Sequence, residues 1–261
     1  MGILQKIKIR EPAQGDNWEH YLAGVCTLTY IPLKDGFLFT SNRDERRLRA
    51  PALPPEVYRV HGKDILFPKD GEAGGTWVAS SGSLQLCLLN GAFERHISHP
   101  PYRLSRGIVL LDAFGYDHFH DFFEKYSFNG IEPFSMIAIE TRKQTRLYEL
   151  RWDGKHVFFK SLDPSKAAIW SSASLYTADV RLKREAWFLA FREENPFPTQ
   201  EEVLHFHQFS GEGNKAHDLV MNYETTVQTL SVTSLLYSKE GRKVIHLDLL
   251  DGQHHTRALP A

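Results

Sequence analysis

The chain has 261 residues, 42% of them hydrophobic, and a formal net charge of −1. That is enough apolar material for one large domain or two small ones, and so even a charge balance gives no footing for nucleic acid or an anionic membrane as a partner. Two cysteines exclude a disulfide scaffold, and no apolar run approaches the roughly 18 residues of a membrane-spanning helix.

In chain order, the first stretch, MGILQKIKIREP, alternates apolar and basic residues and lacks the apolar core of a secretory signal. Lys6 stands where a myristoylation signal carries Ser or Thr. A cytoplasmic protein under reducing conditions is the expectation. Strands are then predicted at 26–31 and 36–40, joined by the hairpin PLKDG with Pro32 at its start and Gly36 at its end. PALPPE reads as a loop. Further strands are predicted at 76–79, 84–89, 134–139, 146–152, 156–160, 230–237 and 243–249, from β-branched and aromatic content. EGR and DG mark the later hairpins. Helical spacing predicts one helix over 105–126, with Gly115 as a break point, and another over 176–194. A third is TQEEVLHFHQF, with Thr199 as N-cap. There is no repeat, low-complexity tract or linker. Strands, then helices, then strands again describe an α+β domain of stacked layers, taken here as 26–261 behind an extension of 25 residues.

Candidate chemistry starts at Cys26. The hairpin places it at the same end of the sheet as Asn42, Arg43 and Asp44, where FLFTSNRDERRLRAP turns from apolar to charged. An adjacent cation such as Arg43 lowers a thiol pKa and favours the nucleophilic thiolate, and Asp44 is suited to hold a protonated amine. The competing reading is a strand-end salt-bridge cluster beside an ordinary buried cysteine. Strand alternation puts Arg43 and Asp44 on opposite faces if the strand stays extended. In DGEAGGTWVAS, Gly74 and Gly75 permit a close backbone approach, and Trp77 is either pocket floor or core. In LQLCLLNGAFERH, Asn90 either donates to a developing oxyanion or simply belongs to an Asn-Gly turn. Cys87 reads as core. Trp77, Phe93, Trp170 and Tyr176 are candidates for an apolar pocket. The two HFH pairs, His118 with His120 and His205 with His207, fall in predicted helices, where i, i+2 spacing points them to different faces. No metal site is expected, and no cofactor is implied.

SNRDE at 41–45, GGTW at 74–77, LLNG at 88–91 and SRGIVLLD at 105–112 occur in this order. The series resembles the NRDE family, also called the transport and Golgi organisation 2 family, most clearly over 26–112. That family in turn looks similar to N-terminal-nucleophile hydrolases of the choloylglycine hydrolase and penicillin V acylase group. The resemblance implies a four-layer αββα sandwich with the charged strand end at the mouth of a pocket. It also implies cleavage before Cys26, a thiolate made by the freed α-amine, Asp44 holding that amine, and Asn90 stabilising the oxyanion. Asn42, Arg43, Trp77 and Ser172 are the supporting candidates.

The chain departs from the pattern at four places. Cys26 does not stand at position 2. Ser41 occupies the place of a hydrolase arginine, Ser172 that of a second asparagine, and Leu230 that of a late arginine. The implied function is a cysteine amidohydrolase for a small amide or ester. The alternative is a non-catalytic protein of the same fold that carries a small hydrophobic ligand, lipid- or haem-like, or serves membrane trafficking. A third reading is a stable domain whose role is a protein contact.

Overall fold

The structure is a computed structural model that describes residues 27–46, 48–223, 227–239 and 241–259. Cys26 and the extension before it lie outside the described residues. The chain runs β1 (Thr27–Leu33), β2 (Gly36–Arg46), β3 (Leu53–Val60), β4 (Lys63–Lys69), β5 (Val78–Ser80) and β6 (Leu84–Asn90). Helices α1 (Arg106–Asp112) and α2 (Phe119–Lys125) follow, then β7 (Phe134–Glu140), β8 (Arg146–Trp152), β9 (Val157–Leu162) and β10 (Ala168–Ser171). After α3 (Ala178–Glu194) and α4 (Gln200–Phe209) come β11 (Asn222–Tyr223), β12 (Val227–Ser238), β13 (Arg242–Asp248) and β14 (His254–Ala258).

The strands form two antiparallel sheets. One has the order β10-β1-β2-β12-β13-β14, with β11 added to β12; the other runs β3 to β9 in sequence. Alternation within each strand assigns the layers. Leu28, Tyr30, Phe37 and Phe39 of the first sheet meet Leu66, Val78, Cys87 and Ile137 of the second in one apolar core. Their neighbours Ile31 and Leu38 point the other way, onto Phe188 of α3 and Val203 and Phe206 of α4. On the far side of the second sheet, Leu86, Met136 and Leu150 pack on Val109 and Leu110 of α1 and Phe119 and Phe122 of α2. The layers are therefore helix, sheet, sheet, helix, the αββα sandwich expected of the chain.

The helices start where their caps direct. The Ser105 hydroxyl accepts from the Ile108 amide at the start of α1, and Thr199 with Glu202 makes a complete capping box on α4. A short 3-10 turn at Ala113–Gly115 divides α1 from α2, the break point expected at Gly115. Two expectations are corrected. PALPPE is no loop throughout, because β3 begins at Leu53, as an edge strand that tolerates its prolines. The strand expected to stop at Thr40 runs on through Asn42, Arg43, Asp44 and Glu45 to Arg46.

Candidate functional site

The continuation of β2 buries four polar residues in a row: Asn42 and Asp44 are 0% exposed, Arg43 and Glu45 2%. Charged groups lie this deep only when paired and hydrogen-bonded, and each has partners. Arg43 and Glu45 face the second sheet. The Arg43 guanidinium donates through Nη2 to Asp70 Oδ2 at 2.5 Å and lies 4.5 Å from the Trp77 ring centre. Asp70 also accepts from Arg49 Nε at 2.9 Å and Nη2 at 3.0 Å, and from the Glu72 and Ala73 amides. Burial alone would raise the Asp70 carboxyl, but these hydrogen bonds and the two guanidiniums hold it below the ordinary aspartate value. Burial raises the Glu45 carboxyl, against the pull of Arg49, and lowers Arg43, against Glu45 and Asp70.

Asn42 and Asp44 face the opposite way, toward the layer of α3 and α4, as alternation requires. Asp44 accepts from the Tyr176 hydroxyl at 2.6 Å and from the Thr229 hydroxyl. A bulge in β12 makes the second contact: Thr229 opposes Asp44 and Ser231 opposes Arg43, so Leu230 is the extra residue. Leu230 is buried there, in the place of the expected arginine. The Asn42 amide donates to the carbonyls of His207 and Leu219, and its oxygen accepts from His207 Nδ1. With Nδ1 holding the proton, His207 Nε2 accepts from the Thr29 hydroxyl at 2.8 Å. Asn42 thus ties α4 to the sheet and does not enter the cleft described next.

All four sequence motifs meet at one cleft of about 100 Å³ beside Arg43. SNRDE contributes Arg43 and Glu45, GGTW contributes Gly75, Thr76 and Trp77, LLNG contributes Leu88 and Asn90, and SRG contributes Ser105, Arg106 and Gly107. Two of the motifs touch through their glycines. A Cβ on Gly75 would stand 2.6 Å from the Gly107 carbonyl carbon, and one on Gly107 would stand 2.8 Å from both the nitrogen and the oxygen of Thr76. Only glycine on both sides allows this approach. Arg106 is held at the rim by Glu132 Oε2 at 3.1 Å and the Pro133 carbonyl at 3.3 Å.

The turn reading of Asn90 holds, and the residue also borders the cleft. Gly91 after it turns in the left-handed region, at φ +77°, while Asn90 itself lines the cleft. Its carbonyl accepts from the Ser172 hydroxyl at 2.9 Å. Ser172 follows Ser171, which pairs with Thr27, and Thr27 pairs on its other side with Asn42. The first described residue therefore lies between the strands that carry Arg43 and Ser172.

Of the expected site residues, Arg43, Trp77 and Asn90 come together, Ser172 supports Asn90 from behind, and Asp44 and Asn42 occupy the other face of β2. Cys26 is outside the described residues. Cys87 is core, its thiol pushed up to about 12 by burial. Of the four candidate pocket aromatics, only Trp77 lines the cleft. Phe93 packs edge-on against Phe158 near the surface, Trp170 donates to Glu149, and Tyr176 donates to Asp44. The HFH pairs diverge, His207 being buried against Asn42 while His205 lies against Phe209. Among the described residues no cluster of three His, Cys, Asp or Glu is placed to hold a metal ion, and no helix is long and apolar enough to cross a membrane.

Sequence reasoning missed Arg49 and Asp70 at the cleft, and Thr229 and Arg184 on the other face, where Tyr176, expected in an apolar pocket, instead holds Asp44. Asp70 opens the quoted DGEAGGTW stretch, so its place was signalled. Arg184 was not signalled: it is fully buried, donates to the Thr27 hydroxyl and to the His217 and Asp218 carbonyls, and stacks 3.7 Å from the Tyr176 ring centre.

No curated protein matches the chain. Among solved structures, penicillin V acylase from Agrobacterium tumefaciens is similar at 10% identity, over 89% of this chain and 85% of that one, with a TM-score of 0.43. A family model matches residues 28–187, which hold every motif of the cleft. The chain belongs to the family described as Transport and Golgi organisation 2.

Proposed function

We propose that the protein is a cysteine amidohydrolase acting on a small amide or ester, with Cys26 as nucleophile and residues 26–261 as its domain. The observation that carries this reading is the convergence of four motifs on one cleft beside Arg43. Cys26 directly precedes Thr27 in the sequence. Thr27 in turn pairs with Asn42 and Ser171.

The chemistry runs from an α-amine freed by cleavage of the Val25–Cys26 bond. That amine has an ordinary pKa of about 7.7–8.0 and so serves as a base near neutral pH. It takes the thiol proton, and the thiolate attacks the carbonyl carbon. Asn90 and a backbone N–H receive the negative oxygen. The leaving amine or alcohol takes the proton back, and water then hydrolyses the thioester to a free acid and the thiol. Asp44, on the face of β2 opposite the cleft and holding hydrogen bonds from Tyr176 and Thr229, keeps the amine in place from that side. Residues 1–25 act as a propeptide or cap. A cytoplasmic, reducing location fits a nucleophile that must stay a thiol.

The test is thiol reactivity joined to turnover. A nucleophilic Cys26 reacts with iodoacetamide much faster than Cys87, whose thiol is pushed up to about 12. Small p-nitrophenyl esters are turned over by the wild type and not by Cys26→Ala. Equal, slow labelling of the two cysteines together with absent turnover would overturn the reading.

One observation favours the carrier alternative. A groove of about 410 Å³ lies between α3 and α4, lined by Trp187, Phe191, Phe206 and Phe209. It falls within the ~300–1,000 Å³ of ordinary ligand sites, whereas the cleft is well below that range. Saturable haem or fatty-acid binding that Phe206→Ala abolishes would support a carrier role at this groove.

A further inference from the structure

The hydrolase reading leaves the cation of the cleft without a role. Arg43 is 2% exposed and gives Nη2 to Asp70, yet Nη1 has no hydrogen-bond partner among the described residues. The Trp77 indole Nε1 is likewise buried without one. Both residues line the cleft, and so does Asn90. Buried donors left unmatched in a folded protein call for a specific explanation, and the expense is greatest for a charged group. Asp70 cannot supply the match, because its two oxygens already receive Arg43, Arg49 and two backbone amides. Arg49 and Arg106 add positive charge but are committed to Asp70, Glu72 and Glu132.

We propose that this cleft is a binding site for a small monocarboxylate, seated on Arg43 Nη1 and Trp77 Nε1 with Asn90 beside it. Three features select the ligand. The volume of about 100 Å³ accommodates a carboxylate with a short alkyl tail. The guanidinium edge matches the flat two-oxygen geometry of a carboxylate. Glu45 and Asp70 in the same wall repel a dianion more strongly than a monoanion, which sets inorganic phosphate aside. The site requires neither Cys26 nor any cleavage of the chain, so it goes beyond the hydrolase reading and stands or falls apart from it.

The experiment is calorimetric titration of the full chain with sodium butyrate, butyramide and inorganic phosphate, at an ionic strength held constant with sodium chloride. Butyrate is expected to bind saturably and to raise the melting temperature with concentration; butyramide and phosphate are expected to bind at least tenfold more weakly. Trp77→Phe keeps a ring under Arg43 but removes the N–H along with part of the indole, so it weakens butyrate by roughly ten- to hundredfold. Arg43→Lys, if it folds, abolishes binding because the fork is lost. Leu182→Ala, exposed on α3 and outside the cleft, binds butyrate as the wild type does. Butyrate no tighter than butyramide, phosphate tighter than butyrate, or an unchanged affinity in Trp77→Phe would each overturn the proposal.

Discussion

Adding one methyl group at Gly75 tests whether the cleft is built by two motifs in contact. The new Cβ would stand 2.6 Å from the Gly107 carbonyl carbon and 2.8 Å from the Ile108 nitrogen. Carbon atoms rest at about 3.5–4.0 Å, so the start of α1 must retreat by about 1 Å. Both obstacles are backbone, and neither can rotate aside. Overpacking of this kind costs about 1–3 kcal/mol, which for a chain of this size lowers the melting temperature by roughly 2–12 °C. Gly107→Ala meets the Thr76 backbone at 2.8 Å and should cost a similar amount. The double variant should cost less than the sum, because a gap opened by one methyl already accommodates the other. Gly241→Ala is the control: nothing stands within 4 Å of its Cβ, and its effect should stay within about 0.5 kcal/mol. Urea unfolding followed by circular dichroism reads all four variants. Gly75→Ala with wild-type stability, or a fully additive double variant, would refute the contact.

The other predictions concern the polar layer. Tyr176→Phe removes one of the hydroxyl donors to buried Asp44 and should cost about 1.5–3 kcal/mol, whereas Leu182→Ala on the exposed face of α3 should cost far less; equal losses in urea unfolding would contradict the role of Asp44. Burial lowers His207 to about 3 and His246 to about 4. The unfolded chain therefore binds more protons below its histidine pKa of about 6.5, and stability should fall as pH drops from 6.5 toward 5, by up to about 1.4 kcal/mol per unit for each histidine. His246→Gln should remove its share of that slope, and a flat profile across this window would show that the two rings are not held neutral. Ser172→Ala strips the Asn90 carbonyl of its donor and should cost about 0.5–1.5 kcal/mol; a stability equal to wild type would mean Ser172 does not brace Asn90.

The layers were legible because alternation and helical spacing are local. Leu28 and Tyr30 against Ile31, or Val203 against Phe206, announce their faces within a few residues. The caps at Ser105 and Thr199 were equally local. What misled were residues whose partners lie far along the chain. NRDE reads as a strand end because four polar residues in a row suggest exposure. It is interior because Asp70, Thr229, Tyr176 and His207 supply the matching groups from 27 to 185 residues away. The same holds for Arg184, which looks like one more charge on α3 until the Thr27 hydroxyl and two carbonyls enclose it. Proline at 54 and 55 hid β3, since a strand with proline survives only at an edge and edge position is not a local property. The motifs converge on one cleft, and alternation, a local property, already placed Arg43 and Asp44 on opposite faces of the extended strand.

Intact mass and N-terminal sequencing of the purified protein, beside a Cys26→Ala control, test the central claim most directly. The hydrolase reading predicts a mature chain that begins at Cys26 and a control left uncut. A wild-type chain that keeps its residues before Cys26 would leave the thiol without its amine and contradict that reading.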